Sequence, residues 1–179
     1  MIPVGVFLSV VVAKLRGGKF DRLHDLGIKG LPWVWAALLL RALVGILARR
    51  SIDVPWLQIV AYLIFFYALI QNMSLPGLKL FIGGSALNFL AIAFNGGAMP
   101  VSPVAIAFAG LQQGDPMGTH CLLTPATRLW FLADVIPLRS PYFPLPQVIS
   151  IGDIFIVVGI FYFIQRKMLA TSVSCARQE

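Results

Sequence analysis

Two aspartates stand in apolar surroundings and ask for a chemical explanation. Asp134 lies in the run Arg128-Leu-Trp-Phe-Leu-Ala-Asp134-Val-Ile-Pro137, and Asp153 follows Ser150-Ile-Gly. Ionisable groups within membrane segments are costly and default to a functional reading. Two carboxylates brought close cannot both ionise easily, so their pKa values split. One could then activate water while the other protonates a departing group. Each aspartate also has a structural reading. Asp134 could pair with Arg128 or Arg139. Thr124 and Pro125 look like an N-cap and first helical residue, with Pro137 forcing an end. That places Asp134 near a helix C-terminus, where the dipole disfavours a carboxylate by roughly 0.3–1 kcal/mol. Asp153 stands three residues after Ser150 ahead of an apolar run, which is a capping box, and an acid in the first turn suits the dipole.

The polar residues that could complete a site are Asn88, Asn95, Gly96, Gly97, His120 and Arg128. Gly84, Asn88, Ala91 and Asn95 fall at i, i+4, i+7 and i+11, one face of a helix. A small-residue packing seam with an interhelical amide explains Gly84 and Asn88. Asn95 is better placed to polarise or orient a reacting group, because two glycines follow it and free the backbone for close approach. His120 stands beside Cys121 after the Gln-Gln-Gly-Asp-Pro-Met-Gly run at 112–118, in an exposed loop expected over 112–120, and reads as a surface-loop histidine. No metal-ligand spacing and no phosphate-binding glycine loop occurs, so neither metal nor cofactor is expected. Cys121 and Cys175 form no disulfide pattern.

The elements that must hold these residues follow from composition. Of 179 residues 59% are hydrophobic and 12% charged, with a mean hydropathy of +0.87. Soluble domains carry about 25% charged residues, so a water-soluble globule and a disordered chain are both excluded. A single integral membrane domain over residues 1–179 is expected, all-α, with about five transmembrane helices. Apolar runs cover residues 2–13, 32–48, 52–70, 78–94 and 151–164. The first is short for a full span, which needs about 20 residues. It has no basic region before it, so it reads as mature protein rather than a signal peptide. Arg41, in mid-helix, pairs or snorkels. Between residues 95 and 150 the apolar pieces 101–111 and 129–138 are too short to span, and proline cuts the stretch repeatedly from Pro100 to Pro146. Irregular backbone at membrane depth survives only where protein or a water-filled cavity covers it. Re-entrant or broken half-helical segments over a polar pocket are therefore expected.

Charge sets the orientation. The net charge of +7 reflects the positive-inside bias rather than nucleic-acid binding. Placing Lys14, Arg16, Lys19, Arg22, Lys29, Lys79, Arg166, Lys167 and Arg177 inside leaves Arg49, Arg50, Arg128 and Arg139 outside, nine against four. The chain is then a multi-pass protein of the plasma (bacterial inner) membrane with a cytoplasmic C-terminus. The proline-rich stretch and Asp153 face the extracytoplasmic side.

With these residues in hand, the chain resembles a family of small bacterial multi-pass membrane proteins known only as a domain of unknown function. The likeness rests on Asn-Gly-Gly-Ala-Met-Pro-Val at 95–101, His120, Thr127-Arg-Leu-Trp-Phe-Leu-Ala-Asp134-Val-Ile-Pro-Leu138, Ser150-Ile-Gly-Asp153 and the basic, glycine-containing loop near 15–30. It covers most of the chain, with Ala133 where a glycine is expected. It implies the membrane class and a common fold, and no activity. The C-terminal third also resembles lipoprotein signal peptidase, an intramembrane aspartyl protease, in Asn95-Gly-Gly-Ala98 and in aspartates matching Asp134 and Asp153. That resemblance implies a catalytic pair facing the extracytoplasmic side. The Gly-Asn-x-x-Asp-Arg element of that family is missing here, and Asn95 is too close to Asp134 for the helix hairpin expected between them.

Three functions follow as expectations. The leading one is a polar pocket that binds or transports a small polar solute or a lipid headgroup. The second is an intramembrane aspartyl-type hydrolase of a lipid-linked or peptide substrate. The third is a structural or regulatory subunit. The expected partners are the lipid bilayer and that small polar ligand or lipid, with no nucleic acid.

Overall fold

The computed structural model describes residues 1–24, 26–112, 119–141 and 143–170. Cys175 and Arg177, and most of the 112–120 loop, lie outside the described residues. The fold is mostly helical. Five long helices are α1 (Ile2–Leu15), α2 (Leu31–Arg49), α3 (Pro55–Ile70), α4 (Leu78–Phe94) and α6 (Ile151–Leu169), and α5 (Pro103–Phe108) is a short sixth. Proline opens α1, α2, α3 and α5, where its fixed φ and missing N–H cost nothing. Among the described residues one helix, α2, is long and apolar enough to cross a membrane, while α1, α3 and α4 are apolar but shorter. The last helix runs past the expected stop near residue 164 to Leu169, taking in Arg166 and Lys167, because cations in a last turn favour the helix dipole.

The long helices lie in a row, α1 against α6, α6 against α4, α4 against α3 and α3 against α2. The two seams of α6 are built where small residues let backbones approach. A Cβ on Gly84 would lie 2.3 Å from the Gly152 carbonyl oxygen, and one on Gly77 would lie 2.2 Å from that of Gly159. The two pairs are seven residues apart on both helices, so α4 and α6 run antiparallel in direct backbone contact. They are also offset. From Gly84, α4 continues to Phe94, about 15 Å at 1.5 Å per residue, beyond the start of α6 at Ile151. From Gly159, α6 continues as far in the opposite direction. On its other side α6 packs on Gly5, Ser9 and Ala13 of α1, and the Ser9 hydroxyl donates to the Phe161 carbonyl at 3.2 Å.

The offset makes two cores. Tyr62, Ala91, Ile92, Met99 and Leu132 join α3 and the outer half of α4 to the stretch that follows. Ala13, Ile164 and Met168 join α1 to the far end of α6. The Arg41 guanidinium lies 4.6 Å from the ring centre of Tyr62 on α3, a cation–π contact.

The stretch 95–150 corrects the sequence reading. Half-helical pieces were expected, and among the described residues α5 and one 3-10 turn (Trp130–Leu132) are helical. The rest is two small sheets, β1 (Met99–Val101) with β2 (His120–Leu122) in parallel, and β3 (Ile136–Leu138) with β4 (Gln147–Ile149) in antiparallel. The helix expected from Thr124 and Pro125 towards Pro137 does not form. The Thr124 N–H donates to the Thr127 hydroxyl in a tight turn, Leu129 takes a left-handed φ of 51°, and only Trp130–Leu132 makes a 3-10 turn.

Candidate functional site

Asp134 sits in extended backbone beside β1, not at a helix C-terminus, so no dipole opposes it. It forms a parallel bridge with Val101. Its N–H donates to the Pro100 carbonyl and its own carbonyl accepts from the Ser102 N–H, both at 2.9 Å. Because β1 is flanked by β2 on one side and Asp134 on the other, His120 and Asp134 reach each other across one strand. The His120 Nε2 is 3.6 Å from the Asp134 Oδ2. Asp134 is 6% exposed, whereas the His120 side chain is 44% exposed. The arginine pairing expected for Asp134 is replaced by this histidine.

The pair lies on the wall of a cleft of about 360 Å³, with Gln112 and Gln147 as the other polar groups and Val101, Ile106 and Val148 among the apolar ones. Gln147 comes from β4 and accepts from the Met1 amine through Oε1, while its Nε2 is buried with no hydrogen-bond partner. Burial pushes the Asp134 carboxyl up to about 8, and the negative charge of Asp153 pushes the same way. At neutral pH the cleft therefore presents a protonated acid, which donates. Burial likewise raises the Cys121 thiol, so it is no ready nucleophile. Among the described residues no three or more His, Cys, Asp or Glu side chains converge as a metal group.

The other expected site residues are engaged elsewhere. Asp153 completes its capping box: Ser150 Oγ accepts from the Asp153 N–H at 3.1 Å, and Asp153 Oδ2 accepts from the Ser150 N–H at 3.1 Å. Its Oδ1 accepts from Asn88 Nδ2 at 3.0 Å, and Asn88 Oδ1 accepts from the Ser150 hydroxyl at 2.8 Å. Asp153 thus caps its own helix through Oδ2 and holds the α4–α6 joint through Oδ1. Asn95 clamps the Arg128 backbone, accepting its N–H at 2.9 Å and donating to its carbonyl at 2.8 Å. Gly96 and Gly97 turn the chain at φ of 68° and 83°, and a Cβ on Gly97 would lie 2.4 Å from Pro55 Cβ. The structure thus brings together Asp134 and His120, and gives Asn88, Asn95, Gly96, Gly97, Asp153 and the Arg128 backbone structural contacts. Sequence reasoning missed Gln112 and Gln147. The polar Gln147 in the apolar run 145–149 was the available signal.

Comparison with known proteins places the chain. Residues 25–165 match a family of unknown function, DUF5317. The chain belongs to that family. Within reach of DUF5317 it is also similar to an uncharacterized protein of Thermotoga maritima, 29% identical over 167 residues, which cover 92% of this chain and 90% of that one. No solved structure matches. The DUF5317 match spans α2 through most of α6, and so includes every residue of the cleft.

Proposed function

We propose that this DUF5317 protein is a multi-pass membrane protein whose Asp134–His120 cleft, open to the extracytoplasmic side, binds a small polar solute or a lipid headgroup. The observation that carries the reading is the cleft itself: a buried, proton-bearing carboxyl facing an imidazole on the cleft wall. A protonated acid beside a half-exposed imidazole on a cavity wall fits a ligand carrying acceptor oxygens. With Asp134 protonated, the cleft favours an uncharged or zwitterionic solute over a simple cation.

The membrane placement draws on surface chemistry. Large apolar side chains face outward on every long helix, among them Phe7, Leu39, Leu63, Phe94 and Val158, far beyond the patches soluble monomers expose. Trp33, Trp35 and Tyr67 are exposed at one end of the α2–α3 pair and Trp56 and Trp130 at the other, as interfacial aromatic belts require. Arg16 donates to Gln165 and Arg22 to the Met168 carbonyl, so the basic loop and the basic end of α6 lie together. That end is the cytoplasmic one under the positive-inside rule, and the cleft lies at the other.

The test is a panel of small polar solutes and soluble headgroups scored by thermal shift on detergent-purified protein. A ligand should raise the wild-type Tm by several degrees and have little effect on Asp134→Ala and His120→Ala. Equal stabilisation of all three proteins rejects the cleft. The aspartyl-hydrolase reading draws on one observation, the influence of the Asp153 charge on Asp134. It requires hydrolysis that Asp153→Asn abolishes in a folded protein, whereas the binding reading expects Asp153→Asn to weaken the helix joint and leave ligand selectivity intact.

A further inference from the structure

The offset between α4 and α6 leaves a second cavity, at the opposite end from Asp134. Where α4 stops at Gly77, the remaining half of α6 runs on without it. A groove of about 390 Å³ fills the gap, walled by Val34, Phe65, Leu69, Phe81, Ile160 and Phe163. Its walls are apolar almost throughout. Lys167 stands beside it. The Lys167 Nζ stands 6.0 Å from the ring centre of Phe163 and 3.8 Å from where a Cβ on Gly27 would be. Lys29 follows Ile28, which lines the groove, and its backbone is clamped by Asn72, which also lines it, through bonds of 2.7 and 2.8 Å. Among the described residues no carboxylate lies within 4.0 Å of either ammonium.

We propose that this groove seats one acyl chain of an anionic phospholipid, with the phosphate held at Lys167 and Lys29. The occupant follows from complementarity. Dry apolar walls take a hydrocarbon chain and reject a polar solute. Lys167 beside the groove and Lys29 in the adjoining loop, at the cytoplasmic level of the bilayer, select a negative headgroup. The Asn72 clamp fixes the loop backbone at the rim, so the Lys29 position is preorganised. This inference rests on the membrane placement proposed above but not on the Asp134 cleft, and Asp134→Asn must leave it unchanged.

The experiment compares phosphatidylglycerol with phosphatidylcholine of identical chains, binding to the full chain in neutral detergent by native mass spectrometry. Wild type should prefer phosphatidylglycerol about tenfold, the scale expected for two near-surface cations after partial screening. The double variant Lys29→Gln/Lys167→Gln should fall below about twofold, while Lys29→Arg/Lys167→Arg retains the preference and shows that the fold is intact. Val34→Trp, which fills the groove, should lower binding of both lipids. Equal affinity for the two lipids in wild type, a preference that survives the double Gln variant, or binding indifferent to Val34→Trp each overturns the proposal.

Discussion

Asp134 carries a burial cost that its neighbours only partly offset. Its carboxyl is raised from 3.8 to about 8, first by loss of water and then by Asp153. The folded state therefore holds a proton that the unfolded state releases. Below about pH 4 both states are protonated and no stability is lost; as pH rises towards 8, stability falls by up to about 1.4 kcal/mol per unit. Asp134→Asn keeps the shape and removes the titration, so it should be more stable than wild type at pH 8 and nearly equal at pH 4. Thermal unfolding of both proteins at several pH values checks this, and parallel curves count against a raised Asp134. His120 and Asp153 face the same carboxyl and remain in both proteins, so the comparison isolates Asp134. The partnership of these residues was not legible in the sequence. His120 and Asp134 meet only because β1 pairs in parallel with β2 on one edge and bridges Asp134 on the other, and no local pattern encodes that register. The capping box at Ser150 and Asp153 was legible, because a cap is local.

At the scale of elements, the α4–α6 joint depends on which glycine of an adjacent pair faces the partner. Gly84 touches Gly152 and Ile156, whereas nothing lies within 4 Å of a Cβ on Gly83. Gly84→Ala should destabilise by about 1–3 kcal/mol through overpacking. Gly83→Ala should be neutral or stabilising by up to about 1 kcal/mol from helix propensity. Unfolding in detergent separates the two, and equal effects would show that the helices do not pack as described. The long helices could be read from sequence to within a few residues, α4 at 78–94 above all, since apolar runs between Pro, Gly and basic residues mark their ends. The strands could not. Three residues carry no usable period, and Thr124-Pro125 reads as a helix start that the left-handed Leu129 then denies.

At the scale of the molecule, the half-helix offset divides one apolar row into two unlike ends. At one, α4 outruns α6 and the sheets pack over the exposed half, making the polar Asp134 cleft. At the other, α6 outruns α4 and leaves the apolar groove. The charge count gave the two ends an expected orientation; the offset was hidden because it depends on which glycines meet. The central claim is that a membrane-spanning bundle presents the Asp134 cleft to the extracytoplasmic side. Labelling intact cells with a membrane-impermeant maleimide tests it most directly, using single cysteines at the exposed positions Ala126, near the cleft end, and Lys19, in the basic loop, in a Cys121→Ser/Cys175→Ser background. The account predicts that Ala126→Cys reacts in intact cells and Lys19→Cys only after lysis. Labelling of Lys19→Cys in intact cells with Ala126→Cys protected, or recovery of both proteins in the soluble fraction, would contradict it.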